Sequence, residues 1–332
     1  MSETQFRALV VEEIEPKRFV SSITNRSLDD LPAGEVLVRV HYSALNYKDA
    51  LSSIGNRGVT RNYPHTPGVD ASGVVTASDD PKFSPGDEVL VTSYDLGMNT
   101  DGGLGEYIRV PAAWVVKLPS QMSLKQAMMF GTAGLTAGLM INVLVQNGVR
   151  PDNGPVLVTG ATGGVGSLAV AILAKAGFQV AAVTGKAEAA DFLKSLGATQ
   201  VVSRESVIDT QRPMLKEQWA GVVDVVGGDM LASALKATRY GGTVTCAGLV
   251  GSPELNTSVF PFILRGITLV GIDSAECPMA PRMAVWNKLA GEWMPECLEA
   301  LTTEITLEQV EAQLAALLKG KAHGHYVVKM AN

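Results

Sequence analysis

Cysteine is scarce in this sequence, which bears on both disulfides and compartment. Only Cys246, Cys277 and Cys297 occur among the 332 residues. An odd number of widely spaced cysteines in a chain of this size argues against a disulfide framework. A reducing compartment therefore suits the chain best, and we expect a cytoplasmic protein.

Long runs of one charge and long apolar runs are also missing. The formal net charge is −6 at pH 7 and no basic block exceeds two residues, so neither nucleic acid nor an anionic membrane is expected as a partner. The longest apolar stretch, around Leu135–Val145, is interrupted by Asn142 and is too short to span a bilayer. The beginning, MSETQFRALV, has no basic stretch followed by an apolar one, so no secretory signal is expected.

The pattern of apolar residues changes near Ser123, and with 332 residues the chain is long enough for two domains. Before that point, short alternating segments between Gly, Pro and Asp clusters predict strands of a partly open β-barrel or sandwich. These segments are Val36–Val40, Ala71–Thr76, Glu88–Thr92 and Tyr107–Lys117. After it, continuous apolar strands alternate with helices such as Leu124–Val145, as in a parallel sheet covered on both faces.

The stretch VLVTGATGGVG at 156–166 joins an apolar strand to a glycine-rich turn and an apolar helix. Glycines let a ligand approach the backbone closely, and free N–H groups at a helix N-terminus favour negative charge. Structural turns also collect glycine, but here the flanking strand, the helix and the next strand are all present. The turn predicts a dinucleotide pyrophosphate site with contacts from Thr162, Gly163, Gly164 and Val165.

The end of the next strand indicates which dinucleotide binds. No acidic residue occurs between positions 178 and 187, whereas an NAD site carries an acid there for the ribose 2′-hydroxyl. Thr184, Gly185 and Lys186 stand there instead, and Arg204 adds a second positive charge that suits a 2′-phosphate. The alternative is that both cations are solvated surface residues. The missing acid favours NADPH.

A polar group, Asn46, Tyr47, Lys48 and Asp49, occurs in the stretch ALNYKDA. Asn46 followed three residues later by Asp49 is typical of a helix N-cap with an acid in the first turn. The same residues suit hydride chemistry: Asn46 would position a nicotinamide or donate to a substrate carbonyl, and Tyr47 would donate a hydrogen bond or a proton. Asp49 would accept from a ribose or hold Lys48. Both roles can hold together, since a cap fixes the helix that carries the site.

Several motifs together resemble the medium-chain dehydrogenase/reductase superfamily, and in particular its zinc-independent branch of quinone oxidoreductases and acrylyl-CoA reductases. They are NYKDAL, RNYPHTPGVDASG, GTAGLTA, TGATGGVGS, LKSLGA and PFILRGITLVGIDS. The resemblance spans nearly the whole chain. It implies an α/β protein with a GroES-like, partly open β-barrel catalytic domain over 1–122 and 266–332. It also implies a Rossmann domain with a doubly wound parallel sheet over 123–265, and a homodimer through the 267–272 strand.

The resemblance also bears on zinc. By position, Asn46 stands where zinc-dependent relatives have a catalytic cysteine, and GVD at 68–70 replaces their Gly-His-Glu. No cysteine precedes residue 246, so their four-cysteine structural site is missing, and two carboxylates alone do not make three catalytic ligands. His323 and His325 form a His-x-His pair with no third ligand in view. We expect no metal.

Further site residues follow from position in the family. Cofactor contacts are expected near the nicotinamide and at strand ends of the nucleotide domain: Asn46, Thr132, Thr136, Cys246, Leu249, Ile272 and Ser274. Capping or packing is the alternative for the threonines, and Cys246 suits a small buried residue better than a nucleophile. Substrate contacts are expected from Tyr47, Arg61 and Tyr94, with Arg61 binding thioester phosphates or a carboxyl group. A plain surface position is the alternative for Arg61.

The reaction implied is zinc-free, NADPH-dependent reduction of an activated C=C bond in a 2-enoyl thioester such as acrylyl-CoA. Alcohol oxidation would lack the Lewis acid that lowers the pKa of the hydroxyl, whereas a conjugated alkene needs orientation and electrostatic stabilisation of an enolate. An NADPH:quinone oxidoreductase is the alternative in the same class. A non-catalytic NADPH-binding sensor or structural protein is the alternative of another class, although the NYKD cluster would be a liability in a pure binder.

Overall fold

The computed structural model describes residues 4–320 and 324–330, and the chain divides into two compact units. The first unit comprises the chain up to Thr132, Ala275–Met283 and the chain from Thr302 onward. The second unit comprises Ala133–Ser274 and Ala284–Leu301. Each unit contains its own main sheet.

Strands dominate the beginning of the chain, strands and helices alternate in the middle, and the end returns to strands. The beginning contains β1 (Gln5–Glu15), β2 (Arg18–Ser27), β3 (Val36–Leu45), α1 (Tyr47–Ser53), β4 (Asp70–Ser78), β5 (Glu88–Thr92), β6 (Tyr107–Val110), β7 (Val116–Lys117) and α2 (Leu124–Gln146). The middle contains β8 (Val156–Val158), α3 (Gly164–Lys175), β9 (Val180–Thr184), α4 (Ala190–Ser195), β10 (Gln200–Ser203), α5 (Arg204–Val207), β11 (Trp219–Asp224), α6 (Gly228–Ala237), β12 (Thr238–Cys246), α7 (Phe260–Arg265), β13 (Thr268–Gly271), α8 (Met279–Ala290) and α9 (Leu298–Leu301). The end contains β14 (Thr302–Thr306), α10 (Val310–Leu318) and β15 (His325–Lys329).

The main sheet of the first unit has the order β14-β15-β3-β4-β5-β7, and β6 also pairs with β3. Its neighbours are antiparallel except for the parallel pair β14 and β15. Strands β1 and β2 form a separate antiparallel hairpin. Alternate residues of β3, Val36, Val38 and Val40, are buried in the unit's core, because successive side chains of a strand point to opposite faces.

The sheet of the second unit is parallel throughout, in the order β10-β9-β8-β11-β12-β13. The chain runs outward from β8 to β10 on one side and from β11 to β13 on the other. The strand order therefore reverses between β8 and β11, where doubly wound sheets bind ligands beyond the carboxyl ends of their strands. Central residues such as Leu157, Val222 and Val244 are fully buried, which agrees with the predicted continuous apolar strands.

Two predicted segments are interrupted. The strand expected over Tyr107–Lys117 ends at Val110, because Pro111 lacks the N–H needed to continue a ladder, and a short 3-10 turn separates β6 from β7. The helix expected over Leu124–Val145 is present as α2, but Gly131 breaks it with φ 52° and ψ −155°. The hairpin partner β2 and the strand β14 were not predicted, since their sequences are largely polar.

The predicted domain boundaries also differ from this division. Residues 266–274 and 284–301 were expected in the catalytic domain, and they belong to the second unit. Strand β13 pairs with β12, with Leu269 opposite Val244. Val285 packs so close to Gly138 that a Cβ on that glycine would lie 2.5 Å from Cγ1. These contacts hold both segments in the second unit.

Helix α2 is long and apolar enough to cross a membrane by length and composition, with a mean hydropathy of 1.7 in its most apolar 18-residue window. However, 83% of that window is buried. A core helix of a folded protein passes the same test, so the helix is weak support for a membrane span.

Candidate active site

Two buried carboxylates lie close to the start of α1 in the first unit. Asp49, in the first turn of α1, and Asp70, the first residue of β4, are both 0% exposed. Asn46, immediately before α1, joins them: its backbone N–H donates to Asp49 Oδ2 at 2.7 Å, and its Nδ2 donates to Asp70 Oδ2 at 2.7 Å. We call Asn46, Asp49, Asp70 and Thr132 the carboxylate centre.

Asp70 also holds the chain at the break in α2. Thr132 donates its backbone N–H to both carboxylate oxygens at 2.9 Å and its hydroxyl to Oδ1 at 2.6 Å. A Cβ on Gly131 would lie 2.5 Å from Asp70 Oδ2, so only glycine permits this approach at its positive φ. The N–H and hydroxyl proton of Thr132 are therefore used within the protein, which supports its capping role, and its contact with a cofactor stays a prediction.

Asp49 closes the first turn of α1. Besides the Asn46 N–H, it accepts the backbone N–H groups of Gly68 at 3.1 Å and Val69 at 3.0 Å through Oδ1. This tie between α1 and the loop before β4 corresponds to the capping role considered from the sequence. Asp49 has no exposed surface in this structure, which supports the capping role, and its predicted catalytic role stays a prediction.

Burial raises the pKa of both carboxyl groups. For Asp49, desolvation outweighs the three backbone donors and, with the nearby charge of Asp70, raises the pKa to about 7. Desolvation also raises the pKa of Asp70, against the opposing effects of the Thr132 and Asn46 donors and the charge of Arg282. A negative charge in the carboxylate centre is therefore unfavourable unless hydrogen-bond donors stabilise it.

The residues predicted to contact the substrate differ in their solvent exposure and in their contacts within the protein. Tyr47 follows Asn46 and is 47% exposed, and Arg61 is exposed as well. Tyr94 is restrained, because its hydroxyl donates to the Cys277 carbonyl at 3.3 Å and its ring stacks on Trp114 at 5.7 Å between centroids. Tyr47 and Arg61 therefore remain candidates for ligand contact, while the surroundings of Tyr94 favour a structural role.

Arg282 was not predicted, although it organises the turn after β5. It is buried, donates to the Thr92 carbonyl at 2.8 Å and the Ala275 carbonyl at 3.1 Å, and lies 4.1 Å from the centroid of the Tyr94 ring. Ser93 and Tyr94 have φ of 61° and 52°, a left-handed conformation that is uncommon outside glycine. No local pattern distinguishes this arginine from a surface cation on a helix.

Metal ligands are not grouped in the part of the chain that the structure describes: residues 4–320 and 324–330 contain no set of three or more His, Cys, Asp or Glu side chains placed for a metal ion. His325 is buried, with Nε2 3.2 Å from the Met128 carbonyl oxygen, and burial lowers its pKa to about 4. The other histidine of the predicted His-x-His pair, His323, lies outside the residues that the structure describes. The amide of Asn46 is engaged by Asp70 at the position where zinc-dependent relatives were expected to hold a ligand.

The glycine-rich turn of the second unit has the shape that a pyrophosphate needs. Gly163 precedes α3, and residues 162–165 are partly or fully exposed while both flanks are buried. A Cβ on Gly166 would lie 2.2 Å from the Gly160 carbonyl oxygen, whereas a Cβ on Gly163 would meet nothing closer than 3.4 Å. Gly166 is thus required for packing, and Gly163 leaves room for a ligand at the helix N-terminus. The turn fits a dinucleotide.

The residues predicted for a 2′-phosphate come together at the end of β9. A Cβ on Gly185 would lie 3.2 Å from the Arg204 guanidinium carbon, so the arginine covers this glycine. The Thr184 hydroxyl accepts the backbone N–H of Lys186 at 3.0 Å and orders the turn. Lys186 and Arg204 therefore lie on either side of the exposed backbone of Gly185, in a turn without an acid, which fits a phosphate monoester.

The other predicted cofactor residues lie in the same unit, with Thr136 inside α2 and Cys246, Leu249, Ile272 and Ser274 at or just beyond the ends of β12 and β13. Thr136 donates its hydroxyl to Ser274 Oγ at 2.7 Å, and the Ile272 N–H donates to the Cys246 carbonyl at 2.9 Å. Burial and then the nearby Asp224 raise the pKa of the Cys246 thiol, which agrees with a non-nucleophilic residue. Leu249 is 65% exposed. Whether these residues touch a cofactor stays a prediction.

One buried acid of the second unit was not predicted from the sequence. Asp224, the last residue of β11, accepts the Thr159 hydroxyl at 2.7 Å and the Gly227 N–H at 2.8 Å. Thr159 in turn accepts the Val225 N–H at 3.0 Å. The pair fixes the turn after β11 beside the glycine-rich turn after β8. An acid ending a buried apolar strand was the available signal.

Two stretches of the chain match models of known protein families. Residues 32–120 match the family model of the alcohol dehydrogenase GroES-like domain, and residues 164–287 match that of the zinc-binding dehydrogenase. YhfP of Bacillus subtilis, which carries a quinone oxidoreductase name, is 49% identical over 306 residues, covering 92% of this chain and 93% of YhfP. Its crystal structure with NAD bound superposes with a TM-score of 0.96, at 48% identity over 98% of this chain and 99% of that one.

Two further proteins are similar over nearly their whole length. The acrylyl-CoA reductase AcuI of Ruegeria pomeroyi is 46% identical over 325 residues, which is 97% of this chain and 98% of AcuI. The crystal structure of the yhdH oxidoreductase of Salmonella enterica in complex with NADP has a TM-score of 0.95 and 44% identity, covering 99% of this chain and 100% of that one.

Replacing Asp49 by Asn should reduce the pH dependence of stability. The folded protein holds the Asp49 proton up to a pKa of about 7, whereas the unfolded chain releases it near 3.8. Between these values the folded state binds more protons, so stability falls as the pH rises, by about 1.4 kcal/mol per pH unit where the difference is one full proton. Urea midpoints measured from pH 4.5 to 7.5 should fall less steeply for Asp49→Asn than for the wild type.

The control for this experiment is Asp191→Asn, at an exposed acid of α4 in the other unit. It should leave the slope of the wild type unchanged. The absolute stability of Asp49→Asn is not diagnostic, because the amide also removes an acceptor for backbone N–H groups. Equal slopes for Asp49→Asn and wild type would contradict the assignment.

Proposed function

The chain belongs to the medium-chain dehydrogenase/reductase superfamily, and we propose that it is an NADPH-dependent oxidoreductase that reduces the activated C=C bond of a 2-enoyl thioester such as acrylyl-CoA. The observation that carries the proposal is the carboxylate centre, which places an oriented amide where the family's zinc-dependent members would need a ligand. The similarity to an acrylyl-CoA reductase over 97% of the chain supports the substrate class.

NADPH supplies the hydride when bound. The turn at 162–165 and the N-terminus of α3 bind its pyrophosphate, and Lys186 and Arg204 bind its 2′-phosphate. The remainder of the cofactor is held by Thr136 of α2 together with the residues at or just beyond the ends of β12 and β13, namely Cys246, Leu249, Ile272 and Ser274. The similar NADP-bound oxidoreductase supports this assignment.

The first unit supplies the groups that act on the substrate. An amide carries two N–H groups, and Asp70 uses one of those on Asn46. The other donates to the substrate carbonyl, where negative charge develops on the enolate oxygen. Tyr47, which is 47% exposed, delivers its hydroxyl proton to the α-carbon of the enolate, and Asp49 holds α1 in place. Arg61 binds the phosphates of the thioester. No step needs a metal ion.

Reduction of a quinone is the second candidate function. It is favoured by the 49% identity to YhfP, which carries a quinone oxidoreductase name. The two functions share the cofactor and the hydride step and differ in the acceptor. The scarcity of cysteine supports a cytoplasmic location.

A substrate panel tests the proposal. Purified protein should oxidise NADPH with acrylyl-CoA and crotonyl-CoA, and more slowly with a simple enone and a benzoquinone. The reason is that only the two CoA thioesters carry phosphates, in their CoA part, that Arg61 can bind. NADPH absorbance at 340 nm is the measurement. Faster turnover of the quinone would favour the second function. Binding of NADPH without turnover of any acceptor would contradict both and favour a non-catalytic binding protein.

Replacing both Lys186 and Arg204 by Ala should change cofactor choice. Loss of the two charge-assisted contacts should raise KM for NADPH by roughly tenfold or more, while KM for NADH changes little. Steady-state kinetics with both cofactors is the measurement, and Lys194→Ala, an exposed lysine of α4, is the control. An equal effect on NADPH and NADH would show that the two cations do not select the phosphate.

We further propose a homodimer formed through β13. This strand ends the order of its sheet, so one side of its backbone has no neighbouring strand within the described residues. Exposed apolar side chains precede it in and beside α7: Val259, Phe260, Ile263 and Leu264. An edge strand beside an apolar surface suits pairing with a second copy.

Ile263→Asp should therefore convert the dimer to a monomer, because the side chain is 68% exposed in the single chain and would be buried as a charge in the dimer. Light scattering after size exclusion gives the mass. Val20→Asp, at an exposed apolar residue of β2, is the matched control and should remain dimeric. A monomeric wild type would contradict the proposal.

A further inference from the structure

We propose that Asp70 is a positioning residue for the reaction, because it sets the direction in which the Asn46 amide presents its donor and acceptor ends. This role rests on the proposed function, in which Asn46 meets the substrate. Asp70 itself is 0% exposed and does not touch a ligand. Its effect on catalysis is exerted through Asn46.

The chemistry of the pair allows one orientation. An asparagine amide has a donor end and an acceptor end of nearly equal shape, whereas an ionised carboxylate only accepts. The Asn46 atom 2.7 Å from Asp70 Oδ2 must therefore be Nδ2, and Oδ1 lies on the side away from Asp70. Three donors converge on the carboxylate, namely the Asn46 amide and the N–H and hydroxyl of Thr132, and they favour its charged form.

The backbone of Asn46 is fixed independently. Its N–H donates to Asp49 Oδ2 at 2.7 Å, and Asp49 is anchored by the N–H groups of Gly68 and Val69. The position of Asn46 is thus set by Asp49, and the direction of its side-chain amide by Asp70. Two buried acids therefore fix one half-buried residue, Asn46.

In the hydrogen bonds around Asp70 the donor and acceptor groups are fixed, and Asp70 is the final acceptor. The Thr132 hydroxyl gives its single proton to Asp70 at 2.6 Å, so in its 2.8 Å contact with Ser93 Oγ it must be the acceptor. The hydrogen bonds therefore run from Ser93 to Thr132 to Asp70, and from Asn46 to Asp70. Reversal of either branch would set two acceptors against each other in a buried site, which is unfavourable.

A purely structural role for Asp70 is the competing explanation, since it also caps the backbone at the break in α2. The two explanations differ in one respect. If Asp70 acts through Asn46, then removing Asn46 should also remove the catalytic effect of changing Asp70. If it only supports the fold, its effect should persist without Asn46.

A double-mutant cycle with Asp70→Asn and Asn46→Ala tests this. Asp70→Asn keeps the shape but replaces one acceptor oxygen by a donor. It should lower kcat by about 100-fold, the scale of a misplaced reacting group, with KM for NADPH nearly unchanged. The double variant should have the kcat of Asn46→Ala alone. Effects of the two changes that multiply would overturn the proposal.

A measurement without cofactor or substrate separates this proposal from the proposed function. In protein labelled with 15N-asparagine, the side-chain amide of Asn46 is identified by its loss in Asn46→Ala. One of its two protons should resonate downfield and exchange slowly with water in the wild type, and lose both properties in Asp70→Asn. Unchanged Asn46 amide signals would overturn the positioning role even if the enzyme is active. Changed signals would support it even if no panel substrate is reduced.

Thr132→Val keeps the test decisive if Asp70→Asn does not fold. This change removes one donor to Asp70 and leaves both Asn46 and the Asp70 carboxylate in place. It should broaden or shift the same Asn46 amide signals and lower kcat by less than Asp70→Asn would. Wild-type signals and wild-type kcat in Thr132→Val would overturn the proposal.

Discussion

A carboxylate removed from water must be surrounded by donors, and the first unit is arranged around that requirement at Asp70. Burying an unpaired charge is unfavourable by many kcal/mol, and hydrogen bonds to the charged form offset that penalty. Two separate segments supply the donors and the space: Asn46 before α1, and the adjacent residues Gly131 and Thr132 at the break in α2. The break in α2 follows from the same requirement, since an unbroken helix would not direct the Thr132 N–H to Asp70.

The second unit applies the same physical solution to a different turn. Asp224 ends β11 and is fully buried, with the Thr159 hydroxyl and the Gly227 N–H as donors. Burial raises the pKa of Asp224, and the donors oppose that rise. In both units a buried acid at one end of a strand fixes a neighbouring turn. Fixed backbone at the ends of strands is what a site for a flexible cofactor and substrate requires, because preorganised groups need not be ordered during the reaction.

Local spacing was enough to predict the nucleotide half of the site. The strand, turn and helix at 156–175 are contiguous in the chain, and the missing acid after β9 is visible in the sequence. The carboxylate centre was harder. Asn46 and Asp70 are 24 residues apart, Asp70 and Thr132 are 62 apart, and Arg282 reaches Thr92 across 190 residues. A local sequence pattern does not predict contacts between residues so far apart in the chain. The isolated Gly131 in an apolar helical stretch was a signal that a backbone approaches something there, but it did not indicate what.

The sequence by itself determined the fold class and the glycine-rich turn, and it predicted residues for a 2′-phosphate, because each depends on neighbours within one strand, turn and helix. It also limited the polar stretch at Asn46–Asp49 to a cap, a reaction site or both. Only the tertiary structure decided between these for each residue. Asp49 is buried against the loop before β4, whereas Tyr47 remains exposed beside it. Burial, hydrogen-bond direction and pKa depend on segments far away in the chain. Tyr47 and Asp49, two positions apart, therefore differ in exposure and in their hydrogen-bond partners.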